Sequence, residues 1–338
     1  MRIALATVAT VVAAAVAGVA ATSSVGADGE PTPLHGMPLR GSTGLRLVVA
    51  DNPPIVLDVD AARATPVRRV PTLRRGVLWV VGVGAQSAVV VARSVWRHAD
   101  LYGVRGRAAR VVVLGDGEAV APAADGRSVW IKSFTRWGCT LRQRSLEGIE
   151  IRAPRAFPCA STIASAGSYG LVVNRTRVID PRTGQTRLRA RWGVLAATGR
   201  TLVLAGPSRT FTIVGAGGRV LRRIPWPSTL GGLDAPAADP RGRFVALAFA
   251  DPAAQALDVW LLDTKTMRLT QLPAMPTLVP LKRTSMAWTR DGQLVLLSHK
   301  SGRFAVALWR PGEESLTVKT LPLRDQRKGS SDSFAVLR

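Results

Sequence analysis

A glycine that precedes a short apolar, β-branched run returns along this chain at nearly constant spacing. No other feature limits the fold so strongly. It stands at Gly44 (before LRLVVA), Gly84 (a few residues before AVVVAR), Gly126 (RSVWIKS), Gly167 (SYGLVV), Gly199 (RTLVLAG), Gly242 (RFVALAF) and Gly292 (QLVLLS). Successive gaps are 40, 42, 41, 32, 43 and 50 residues. A repeat of this length means supersecondary units that bury their apolar faces only against one another. The intervals hold Gly, Pro and β-branched residues and no amphipathic helical pattern, which argues against βαβ units and for an all-β chain.

Each interval divides into four short strands, a to d in chain order. In the sixth unit these are Leu233–Ala238, Phe244–Ala250, Leu257–Asp263 and Arg268–Leu272. In the second they are Val77–Val83, Ala88–Arg93, Asp100–Arg105 and Arg110–Leu114, with a long connection over 94–99. Asp263, Asp180 and the Arg310-Pro311-Gly312 step mark turns, Asp by bonding its own backbone. The sharpest local signal is Ser285–Ser298, SMAWTRDGQLVLLS: strand Met286–Thr289, a turn at Arg290-Asp291-Gly292, and strand Leu294–Ser298. Asp-Gly between two β-type runs is a hairpin signal, because Gly accepts the positive φ of the turn. This hairpin resembles the repeat of TolB-like and WD40-like β-propellers, in which a Trp, a turn ending Asp-Gly and an apolar strand recur. The resemblance extends over about Ser42 to Arg338 and is best in the last two units. It implies an all-β propeller of seven four-stranded blades; the degenerate repeat leaves six or eight open.

The first unit offers Leu45–Ala50, Ile55–Asp60 and Thr65–Val70, but no inner strand before Gly44. Ser333–Leu337 is a strand without a unit. Placed as the inner strand of the first blade, it closes the ring and removes two sheet edges.

The first residues read as an export signal: Arg2, the apolar run Ile3–Ala21, then small residues at Val25-Gly26-Ala27. The expected division is a signal peptide over 1–27, a Pro- and Gly-rich linker over 28–41, and a propeller over 42–338. An uncleaved anchor is the alternative reading of the first segment. No later stretch is apolar and long enough to span a bilayer, so a secreted or envelope-associated protein is expected. Export permits a disulfide between Cys139 and Cys159. Cys139 would start strand c of the third blade and Cys159 would follow strand d, at the same end of the sheet. Two unpaired buried thiols are the alternative.

The chain has no GxSxG elbow, Walker sequence, HxH, HExxH or CxxC. His35, His98 and His299 are scattered, and Asp100 beside His98 reads as a solvated loop pair. Asp180–Gly184 is similar to the DxxTG turn of quinoprotein propellers, but it occurs once and Trp192 comes too late to dock. Catalytic, cofactor-binding and metal-binding residues are therefore not expected. Trp79, Trp130, Trp260, Trp288 and Trp309 fall in strands and are read as packing between blades; Trp96 and Trp137 fall in loops.

Charge is the remaining signal. The 46 basic residues, against 22 acidic, leave a net charge of +24, which attracts polyanions. Arg187, Arg189 and Arg191 alternate along one strand and form the candidate anion-binding set. Arg68-Arg69 and Arg222-Arg223 fall in outer strands. The b–c loops (Arg97, Arg136, Arg175, Arg209, Arg303) and the a–b turns (Arg127, Arg200, Arg241, Arg243, Arg290) are equally basic, which reads as a diffuse coat. Such a coat fits a protein partner or an acidic envelope polymer better than nucleic acid, which favours a basic stripe interleaved with aromatics. The expected function is a non-catalytic, monomeric binding or scaffold module outside the cytoplasm. The alternative is a lactonase- or glycosidase-like propeller hydrolase. The channel mouth discriminates them: convergent carboxylates or a His for the enzyme, small apolar residues for the scaffold.

Overall fold

A computed structural model describes residues 34–84, 86–94, 99–228, 231–251, 256–278, 284–300, 303–323 and 333–337. The segment 1–27, residues 28–33 of the expected linker, and Trp96, Arg97 and His98 lie outside the described residues. Among the described residues there is no α-helix, and seven antiparallel sheets follow one another in a ring. Blade 1 is built, from the inside outward, of Phe334–Val336, Arg46–Val49, Ile55–Asp58 and Arg63–Pro66. Blade 2 uses Gly76–Val83, Ser87–Ser94, Ala99–Arg105 and Arg110–Gly117. Blade 3 uses Ala119–Pro122, Ser128–Thr135, Gly138–Ser145 and Glu150–Phe157. In blade 4 the strands are Ile163–Ser165, Leu171–Val173, Arg177–Ile179 and Thr186–Arg189. Blade 5 has Val194–Thr198, Thr201–Ala205, Thr210–Val214 and Val220–Pro225. Blade 6 has Gly232–Ala238, Phe244–Asp251, Ala256–Asp263 and Arg268–Gln271, and blade 7 has Thr284–Trp288, Leu294–Lys300, Arg303–Trp309 and Thr317–Leu321.

The ring closes as the strand count requires. Phe334, Ala335 and Val336 pair with Val49, Val48 and Leu47, so the last strand is the inner strand of the first blade. A second element reinforces the same seam from outside. Met37–Pro38 runs parallel to the outer strand of blade 7, Met37 opposite Thr317, and Leu34 is 1% exposed in the core beside Trp288 and Leu316. The segment read as a linker thus carries, in its described part, a strand and a core side chain. Its Pro and Gly content hid them, because a single Leu and a two-residue strand leave no period. The outer strand of blade 1 also begins and ends earlier than its sequence suggests, at Arg63–Pro66 rather than 65–70. Pro66 brings no N–H to a ladder, and Arg69 has φ 70°, which no strand accommodates.

The recurring glycine has a backbone reason. All seven markers adopt positive φ, between 54° and 81°, a region open to Gly at little cost. Two pairs also meet across blades. A Cβ on Gly84 would lie 2.7 Å from the Gly126 carbonyl oxygen, and one on Gly199 would lie 2.7 Å from that of Gly242. Apolar layers fill the spaces between blades. Trp288, Trp309, Leu296 and Val259 pack blade 6 on blade 7, with the Phe244 and Trp288 rings stacked at 6.4 Å.

Polar groups stitch the turns and seams. Asp60 accepts bonds from the Ser42 hydroxyl, the Thr43 hydroxyl and the N–H groups of Thr43 and Gly44. Burial alone would raise its pKa, but these donors outweigh burial and hold the carboxyl far below the usual range. Asp263 shows the same balance: burial against donors from Arg243, Lys265 and Thr266, which bring it down to about 2. Both folded pKa values are depressed, so their stabilisation is complete above the unfolded value near 4 and is lost as pH falls toward the folded values. Urea midpoints are therefore expected to fall steadily from about pH 5 to pH 2.5. Asp60→Asn should be less stable than wild type at neutral pH, with a flatter acid profile. An acid profile identical to wild type would refute the role of Asp60.

Several cations are structural rather than decorative. Arg142 Nη2 donates to the Asp116 carbonyl at 3.0 Å, and Arg144 Nη1 donates to the Leu114 carbonyl. These cap carbonyls of the outer strand of blade 2 from the neighbouring blade. Arg209 Nη2 reaches the Gly231 carbonyl of blade 6, and Lys319 Nζ the Asp60 carbonyl of blade 1. Lys132 is 4% exposed at its side chain and fully engaged: its Nζ donates to the Cys159 and Ser161 carbonyls at 2.7 Å and pairs with Glu118 at 2.8 Å. That cluster adjoins the Cys139–Cys159 disulfide, whose Cα atoms are 5.0 Å apart.

Candidate functional site

The three arginines singled out by alternation sit in three different settings. Register in blade 4 slips between Val178 and Ile179, so Arg187 lies at a bulge. There it pairs with Asp180 and donates to the Tyr169 carbonyl. Arg189 stands opposite Arg177 in register and is exposed. Arg191 lies beyond the strand, with its guanidinium 5.5 Å from the Trp192 ring centre. The strand tryptophans are packed between blades, as expected from their positions. Trp137 is 84% exposed at the blade 3 b–c turn, covered on one side by the Arg136 guanidinium at 4.7 Å.

Arginines converge elsewhere. At the end of the ring formed by the a–b and c–d turns, a cleft of about 530 Å³ is lined by blades 2, 3, 6 and 7. Blades so far apart in order meet only about the ring axis, so this cleft is the mouth of the central channel. Arg105, Arg127, Arg241 and Arg290 line it together with Asp125 and Glu147. Arg127 and Arg241 are presented by fixed turns. Asp239 accepts the Arg241 N–H at 3.0 Å, and Asp125 accepts those of Arg127 and Ser128 at 2.8 and 2.9 Å. Gly292 leaves room for Arg241, since a Cβ there would lie 2.9 Å from its Nη1.

The two carboxylates are already engaged. Burial pushes the Asp125 pKa up, but the Ser128 hydroxyl and two N–H donors prevail and the net shift is down. The Ser145 hydroxyl is the largest influence on Glu147 and lowers it, with Arg105 and Arg127 adding to the effect. Glu147 pairs with Arg105. Both are ionised anions at neutral pH, with no proton to give. Arg241 and Arg290 make no ion pair among the described residues, which leaves the mouth positive.

Loop charge read along the sequence does not reveal this site, because it locates the turns and not where they converge. Arg105 escaped altogether: it ends a c strand, yet that end adjoins the a–b turns. Adding the c–d ends to that reading would have found it. Among the described residues no three of His, Cys, Asp and Glu come together as for a metal ion.

No family model matches the chain, and no curated protein matches it. Solved structures do. A functionally unknown protein from Desulfotomaculum acetoxidans is 13% identical at TM-score 0.55, over 88% of this chain and 99% of that one. A chain of a mitotic checkpoint complex is 12% identical at TM-score 0.51, over 83% of this chain and 93% of that one. The fold shared with both is a β-propeller. TolB from Acinetobacter baumannii itself aligns at 13% identity and TM-score 0.46, over 91% of this chain and 68% of that one. At such identities the likeness carries the propeller and no activity with it.

Proposed function

We propose that this propeller is an exported binding module that holds an acidic partner protein or envelope polymer at the arginine-lined mouth of its channel. One observation carries the reading: four arginines converge on the axis, while the two carboxylates among them are bonded and ionised. The mouth is not lined by small apolar residues, and it does carry two carboxylates, the feature expected of an enzyme. Both are held ionised by their donors, so neither has the proton a glycosidase acid needs. Guanidinium groups aimed into a concave site suit carboxylate or phosphate, which they bind in a bidentate manner. The disulfide is in keeping with an oxidising compartment.

The test is binding of the full chain to the envelope fraction of its own cells across a salt series. Binding is expected to fall steeply between about 50 and 150 mM salt, as screening shortens the reach of the arginines. Arg241→Glu with Arg290→Glu should weaken it about tenfold further at low salt. Binding that ignores salt, or that survives the double substitution unchanged, would overturn this assignment.

A further inference from the structure

We propose that a groove on the rim of the ring, between blades 1 and 2, binds an anionic amphiphile: an acyl chain ended by a phosphate or carboxylate. The groove has a simple origin. The outer strand of blade 1 is four residues long, and its neighbour in blade 2 is eight. The short strand fails to cover the apolar layer between the blades, and a groove of about 540 Å³ is left, a volume ordinary for a small-molecule site. Val56, Val67 and Val111 of that layer form its floor.

The rim is arginine. Arg63 and Arg110 begin the two outer strands, at the c–d turn end, and Arg68 and Arg69 follow the blade 1 strand at the other. Arg46 also lines the groove but is already used, against Asp58 at 3.4 Å and the Arg107 carbonyl. The other four make no ion pair among the described residues, and no carboxylate lines the groove. Arg69 holds φ 70°, a conformation that non-glycine residues adopt at a cost and that recurs where a site needs it.

Charge complementarity calls for an anion, and the valine floor calls for an apolar body attached to it. A peptide added as a further strand is disfavoured. The edge offers only Arg63–Pro66, and Pro66 has no N–H, so the ladder would be a few bonds long. An acyl chain needs no ladder. Its methylenes gain from each apolar contact, and its head meets guanidinium donors. This inference stands apart from the channel mouth, which has a more polar lining and shares no residue with the groove.

The experiment is calorimetric titration of the full chain with dodecyl phosphate below its micellar concentration. Saturable one-to-one binding is expected. Arg63→Glu with Arg110→Glu should weaken it about tenfold or more, while the same charge change at Arg222→Glu with Arg223→Glu, on the exposed outer strand of blade 5, leaves it unchanged. Thr65→Trp keeps every arginine and fills the groove, so it should abolish binding even if the charge-reversed protein proves unstable. The proposal is overturned if dodecyltrimethylammonium binds equally well, or if inorganic phosphate binds as tightly as dodecyl phosphate. It is likewise overturned if both groove variants bind like wild type. Binding to phosphatidylglycerol vesicles without binding of the monomer would also overturn it, and would assign the arginines to a membrane surface.

Discussion

Ending the chain before Ser333 is expected to unfold the ring, not merely to loosen one blade. The lost strand buries Phe334, Val336 and Leu337 to 6% exposure or less. It also accepts the Ala50 N–H at the Ser333 carbonyl, takes the Val80 N–H on the Ser333 hydroxyl, and donates from Leu337 to Arg46. Burying the three large side chains is worth about 1.5–3 kcal/mol each. The sum is comparable with the whole stability of an ordinary domain, about 5–15 kcal/mol. Removal would in addition bare the paired edge of Leu47–Val49 and the neighbouring face of blade 2. A melting temperature lower by more than about 10 °C, or insoluble protein, is the expected result. Unchanged melting would mean that the inner place in blade 1 is filled in some other way.

Opening the Cys139–Cys159 bridge should have the next largest effect. It closes a loop of sequence separation 20, for which the chain-entropy account gives about 3 kcal/mol. The end of the loop is held a second time from outside it, because Lys132 on the preceding strand binds the carbonyls of Cys159 and Ser161. Cys139→Ser with Cys159→Ser is therefore expected to lower the melting temperature by several degrees while leaving a folded ring. The wild-type protein should show no thiol reactive to alkylation until a reductant is added. Equal melting of the oxidised and reduced protein would show that the bridge contributes nothing beyond what Lys132 already supplies.

These two features were legible in the sequence for different reasons. The bridge followed from strand order: the start of strand c lies beside the end of strand d, and the two cysteines fall there. The closure followed from a deficit and a surplus, one blade lacking a strand and one strand lacking a blade. The glycine markers and the Asp180 and Asp263 turns were legible because their causes are local, a positive φ and a carboxylate bonded to nearby N–H groups. The binding surfaces were not. The Arg187 alternation assumed an unbroken ladder, and a one-residue bulge at that position breaks it. The groove depends on two outer strands of unequal length in adjacent blades, and the channel mouth on turns far apart in sequence. Leu34 was hidden by its Pro-rich neighbours, although it packs as firmly as any residue of the core.

The closure also sets a timetable. Strand Arg46–Val49 is made about 280 residues ahead of its partner Phe334–Val336. At about 5–20 residues per second, the first blade waits on the order of 15–60 s for its inner member. Until then the ribosome-bound product is an open arc with two raw edges. Chaperones have that interval to engage it before it locks.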